Sequence, residues 1–318
     1  MANKRLVDVG MLALTSQAAV TTQIGGLISL NTSPFFTNTT SSPASGAYGV
    51  EEFDATGLAF TGGFSSNDLA NIITALAASD EGSQALQYLC HESGAATYLT
   101  EVLAAAYIHS FGMNISTTSP ATCNVGWELD AQGDEATIGM LLAAMAVPTA
   151  AQSAVNIAAA TPAFTQTLPV RYIRPHTMTF TPYGGAAISP IHLMNFSMNV
   201  SAPVKRAHED DTLGNAIDIG SWGLGTCSVT FRDATVATGT YIASKLIAAK
   251  QGVLAFACHK MTDDGAASIT LQGVKFHSVT KNDSAEHTTF TVNGSFTWLS
   301  HGLTPDVAYT WATMLVLG

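Results

Sequence analysis

The chain has 318 residues, 47% of them hydrophobic and 11% charged, which allows two ordinary domains with cores of their own and excludes a disordered polypeptide. Its net charge of −11 is uneven: residues 1–160 carry two bases against thirteen acids, residues 161–318 carry ten of each, and no Lys or Arg lies between Leu6 and Val170. An acidic half whose only bases are Lys4 and Arg5 disfavours adhesion to nucleic acid, because phosphate binding is driven by Lys and Arg.

In chain order, Leu58, Phe60 and Phe64 share one face of a predicted strand. Ser65 and Ser66 are natural N-caps, and Leu69, Ile72, Ile73 and Leu76 then form the apolar stripe of a helix over 67–78. Residues 101–108 have a helical composition but are read as a strand, the counterpart of 272–276. Cys123, Val125, Trp127 and Leu129 alternate as a strand. Residues 136–170 carry no charge, and their apolar run falls short of the ~20 residues of a membrane span. They predict a short packed helix and a linker. Met194, Phe196, Met198 and Val200 form the next apolar face, then Cys227, Val229 and Phe231. A second helix is predicted over 240–251, and a last strand places Phe290, Val292, Phe296 and Trp298 together. The apolar tail 308–318 covers either a neighbouring subunit or its own core.

The two halves share landmarks. Cys90-His91 and Cys258-His259 lie 168 positions apart; Gly94-Ala-Ala96 and Gly265-Ala-Ala267 lie 171 apart, as do Val125-Gly-Trp127 and Phe296-Thr-Trp298, and Leu58-Ala-Phe60 and Val229-Thr-Phe231. Their common order predicts an internal duplication, with a three-residue insertion after the second Cys-His. Each copy also has one long connection, 34–57 and 203–225. Structureless connections beyond about 12–15 residues are uncommon unless they bind something, so the same loop twice predicts an assembly role. The predicted organisation is a first β domain (1–135), a short helix and linker (136–170), a second β domain (171–302) and a C-terminal extension (303–318).

No catalytic, cofactor or metal site is predicted. His208-Glu-Asp-Asp211 is a solvated charge run without a metal-binding spacing. The four cysteines, Cys90, Cys123, Cys227 and Cys258, contain no CxxC and are read as buried thiols. Each Cys-His pair occupies neighbouring strand positions, which point to opposite faces. GxSxG, Walker A and GxGxxG motifs are missing. The N-terminal residues lack the apolar core of a signal peptide, so synthesis in a cytoplasm is expected.

Asn195-Phe-Ser-Met-Asn-Val-Ser-Ala-Pro203 enters the second long loop and Trp222-Gly-Leu-Gly-Thr-Cys-Ser-Val-Thr-Phe231 leaves it. A helix follows, then Ser268-Ile-Thr-Leu-Gln-Gly-Val-Lys-Phe276 and the closing strand 288–298. This order resembles the tail tube (major tail) proteins of tailed bacteriophages, and the first copy shares it through the repeat. The resemblance implies a mainly β fold of two tandem tail-tube-like β-sandwich or barrel domains, each with one helix and one long loop. It implies a structural virion protein, not an enzyme. Three chains would form a pseudo-hexameric ring, and stacked rings the tube of a non-contractile, siphophage-type tail through which DNA is ejected without sticking. Assembly would occur in the host cytoplasm, with tail terminator, tape measure and distal tail proteins as further partners, and with neither cofactor nor membrane. Expected contacts between subunits or rings join Glu51, Glu52 and Asp54 of the first loop to Lys205 and Arg206 of the second, beside Glu209, Asp210 and Asp211. The competing readings are a capsid or decoration protein, which needs a long spine helix, and a β-sandwich adhesin, which needs aromatic loops.

Overall fold

A computed structural model describes residues 8–16, 21–41, 52–79, 84–91, 98–129, 157–160, 169–208, 215–232, 236–261, 265–284, 287–300 and 306–318. The first half runs β1 (Asp8–Ser16), β2 (Thr21–Ile24), β3 (Leu27–Ser41), β4 (Glu52–Ser66), α1 (Leu69–Ser79), β5 (Gln84–His91), β6 (Tyr98–Ser116), β7 (Thr122–Leu129) and β8 (Ile157–Ala160). The second runs β9 (Tyr172–Pro182), β10 (Ile188–Ser201), β11 (Val204–His208), β12 (Asn215–Ile219), β13 (Gly225–Arg232), α2 (Val236–Ala248), β14 (Gly252–Lys260), β15 (Ala266–Asp283), β16 (Thr288–Phe296), α3 (Trp311–Met314) and β17 (Leu315–Leu317). The fold is mainly β, as the alternating patterns predict. Fifteen strands form one sheet, and β11–β12 is a separate two-stranded ribbon.

The halves repeat one pairing scheme. In the first, β1 pairs β5, then β6, β7, β4 and β3 follow in turn; in the second, β9 pairs β14, then β15, β16, β13 and β10. In the second half β10 also returns to β9, which closes a six-stranded barrel around Met178, Phe180, Phe196, Phe256 and Phe276. Register shifts coincide as well: Leu27/Ser29 matches Leu193/Asn195, Gln84/Leu86 matches Gly252/Leu254, and Ile108/Ser110 matches Phe276/Ser278. A bulge bends a strand at one position, so three shared bulges align the copies residue by residue.

That alignment corrects part of the sequence reading. Cys90 faces Leu99 and Cys258 faces Ala267, so the offset of 168 persists across the turn and the three-residue insertion does not exist. Val125 faces Phe111 as Val292 faces Val279, which matches Trp127 to Gly294 rather than to Trp298. Trp127 lies within β7 opposite Gly62, whereas Trp298 follows β16. Phe60, opposite Leu129, likewise corresponds to Gly225, opposite Phe296, and not to Phe231.

The long connections are not structureless. Pairing of β3 with β4 continues to Ser41 opposite Glu52, and β11 pairs β12 from Val204–Ile219 to His208–Asn215. Each is an antiparallel two-stranded arm, interrupted in the second copy at 202–203 and at 220–224. Part of the expected linker is the strand β8, which pairs β6; the helix expected at its start lies outside the described residues. Helix α1 buries its predicted stripe, but its cap is Asp68, whose Oδ1 accepts from Asn71 N–H at 3.3 Å. Helix α2 begins and ends earlier than predicted; Gln251, expected as its last residue, is instead buried beyond it, its Nε2 donating to the Gly273 carbonyl at 3.0 Å. The tail covers its own core: β17 pairs β15, and Trp311 is buried. Among the described residues, no helix is long and apolar enough to cross a membrane.

The halves meet along one ladder, β6 against β10, from Ser110–Ser201 to Ser116–Asn195. The sheet therefore continues without a break from one copy into the other.

Candidate functional site

On β6, Phe111, Met113 and Ile115 turn into the core, and on β10 so do Phe196, Met198 and Val200. Period-two geometry sends the residues between them outwards. Cross-strand registers arrange these into rows that run over the seam. One row is Ser65, Asn124, Gly112, Asn199, Thr226 and Ser295. The next is Thr122, Asn114, Ser197, Ser228, Asn293 and Ser278, and a third is Ser116, Asn195, Thr230, Thr291 and Thr280. None of these residues is buried and none is charged.

Neighbours in the rows bond to one another. Ser65 Oγ donates to Asn124 Oδ1 at 2.5 Å, and the Thr230 and Thr291 hydroxyls lie 3.1 Å apart. Lys275, at the end of the first row, donates its ammonium to the carbonyls of Ile247 and Ala249 at the end of α2. The face thus offers hydrogen bonds but no free cation along its rows. The rows therefore lack the basic side chains through which phosphate is retained by counterion release.

Cys123, Cys227 and Cys258 are buried thiols, as expected; the Cys90 side chain lies outside the described ones. Burial pushes Cys227 up to about 12 and Cys258 up to about 11, far from thiolate reactivity at neutral pH. Among the described residues no group of three His, Cys, Asp or Glu side chains could hold a metal ion.

The second arm is pinned across the seam. Arg206 on β11 donates from Nε and Nη2 to the two carboxylate oxygens of Glu128 on β7, at 2.5 and 2.6 Å. Glu128 is 1% exposed, Arg206 42%. Two parallel charge-assisted bonds of this kind fix orientation as well as distance. Beside them His109, whose carbonyl accepts from Ala202 N–H at 2.8 Å, is held below the usual imidazole range by burial, with Glu128 pulling it up and Arg206 pushing it down.

Of the expected contact residues, Arg206 pairs with Glu128 of its own chain. Lys205 is exposed and faces Asp218 in the β11–β12 register. Glu52 and Asp54 lie on β4 opposite Ser41 and Thr39. Glu51, Glu209, Asp210 and Asp211 lie outside the described residues. Sequence reading missed Glu128; its signal was a lone acid at a polar position of an otherwise uncharged strand. Compared with known proteins, the chain matches no family model and no curated protein.

Proposed function

We propose that this chain is a self-assembling structural subunit of the tail-tube type, whose uncharged sheet face lines a conduit for DNA. The supporting observation is the strand order β3-β4-β7-β6-β10-β13-β16-β15, in which a four-strand unit occurs twice, head to tail. Within the chain the joint is made by the free side of β6 and the free side of β10. Their counterparts are still open at the two ends: among the described residues β3 pairs only β4, and 278–283 of β15 pair only β16.

Open edges that match an existing joint invite the same joint with another copy. Moving the Asn199–Gly112 pair by the repeat sets Ser33 of one chain opposite Thr280 of the next, and Asn31 opposite Asn282. The polar rows then continue from chain to chain. Pro34, which has no N–H, leaves out one bond of this ladder. Head-to-tail contacts of this type close into rings, and rings that stack give a filament. Three chains complete a pseudo-hexameric ring, and the tube belongs in a virion tail alongside tail terminator, tape measure and distal tail proteins. An enzymatic role has no place in this reading. Electron microscopy of the concentrated protein tests it: hollow rings or tubes are expected, and a strictly monomeric protein at high concentration overturns it.

A further inference from the structure

Because β3 matches β10 and β6 matches β15, the backbone alone allows four joints between copies: first to second, second to first, first to first and second to second. Side chains must tell these apart. Resting on the assembly proposed above, we infer that the Arg206–Glu128 pair decides which copy can follow which, by making the first copy accept only the arm of a second copy.

The pair has no equivalent at the other joint. In the aligned arms Arg206, opposite Ile217, corresponds to Thr40, opposite Phe53. In the aligned strands Glu128, opposite Tyr107, corresponds to Ser295, opposite Lys275. Glu128 stands on the outward side of β7, in line with Asn124 and Gly126, and is nevertheless 1% exposed where Arg206 reaches it. A carboxylate covered by an arm without a cation is a buried unpaired charge, which is strongly destabilising. The first arm has no cation to give, since no Lys or Arg lies between Leu6 and Val170. A first-to-first joint therefore strands Glu128. A second-to-second joint sets Arg206 over Ser295 and leaves Glu128 without its partner. Strict alternation satisfies both groups. The uneven charge of the sequence acquires a physical role: one copy holds the acid and no base beyond Lys4 and Arg5, the other holds the base. Mispairing is disfavoured by desolvation more than the correct joint is favoured by attraction.

Cross-linking tests this in the full chain. Ser201 and Ser278 are exposed, and β13 and β16 separate their strands, so cysteines there link only across a second-to-second joint between chains. With the pair intact, Ser201→Cys with Ser278→Cys is expected to give almost no disulfide-linked dimer on oxidation. With Glu128→Gln and Arg206→Gln added, at least a tenfold rise is expected. Glu128→Gln alone, which removes the charge that would be stranded, is expected to give a smaller rise and serves if the double change unfolds the chain. A dimer yield unchanged by either variant overturns the ordering role. Microscopy of the same samples separates the two claims. Rings in every variant with an unchanged dimer yield overturn the ordering alone, whereas no oligomer from the pair-intact chain overturns the assembly reading and the ordering with it.

Discussion

Trp311 meets Phe111 edge to face, ring centroids 5.2 Å apart, and so ties the last residues of the chain to the strand that the first half presents to the second. Trp222 and Trp298 pack on the same indole at 5.0 and 5.1 Å. Trp311→Ala is expected to cost about 3–5 kcal/mol, the range of a large aromatic lost from a core. Trp311 Nε1 has no hydrogen-bond partner among the described residues, so Trp311→Phe forfeits area alone and is expected to cost less than half as much. Urea unfolding followed by intrinsic fluorescence measures both; equal losses would point to a polar role for the indole.

Gly62 makes room for Trp127. A Cβ at Gly62 would stand 2.1 Å from the indole and 2.5 Å from the Asn31 carbonyl oxygen. Gly62→Ala is therefore expected to destabilise by about 3 kcal/mol through overpacking. Gly112, on the open face, has nothing nearer than Asn199 Oδ1 at 3.4 Å, and Gly112→Ala is expected to shift stability by less than about 1 kcal/mol. Thermal unfolding of the two variants side by side decides whether the slot for Trp127 is as rigid as its geometry implies.

Neutrality of the outward face is testable by breaking it. Asn114 and Asn199 are exposed, so Asn114→Lys with Asn199→Lys is expected to leave the melting temperature within a degree or two of the parent. The same variant is expected to retain duplex DNA at low salt and release it as salt rises, while the parent retains none. DNA binding by the parent at moderate salt would remove the conduit role of this face.

His109 gives the joint a pH dependence. Burial holds its folded-state value below the ordinary 6.5, and burial and the neighbouring His259 do the same for His176. Below about pH 6.5 the unfolded chain then binds more protons than the folded one, so stability rises with pH and is lost on acidification. The urea midpoint is expected to fall from pH 7.5 to pH 5.5, with a shallower fall in His109→Gln. A midpoint that rises on acidification contradicts the sign.

Legibility in the sequence followed the physics of each element. Cys227, Val229 and Phe231 alternate in the chain and are buried together, because nothing interrupts the period of β13. Met194 was expected beside Phe196 in the core; the bulge between Leu193 and Asn195 buries Leu193 instead, and a bulge leaves no mark in an alternation pattern. The arms read as loops because the first is rich in Ser and Thr and the second in charge, with no sustained apolar alternation in either. Trp127 and Trp298 looked equivalent by type alone, while equivalence is set by cross-strand register. Glu128 was unreadable as a partner of Arg206, since the fold brings them together from 78 positions apart.

The head-to-tail sheet is tested most directly by an interchain cross-link at the position the repeat specifies. In full-length protein carrying Ser33→Cys and Thr280→Cys, oxidation is expected to link successive chains into a short ladder of covalent oligomers that ends at the closed ring, with Ser33→Cys alone giving none. Chains that remain monomeric under oxidation, although they are assembled, would contradict the joint between β3 and β15.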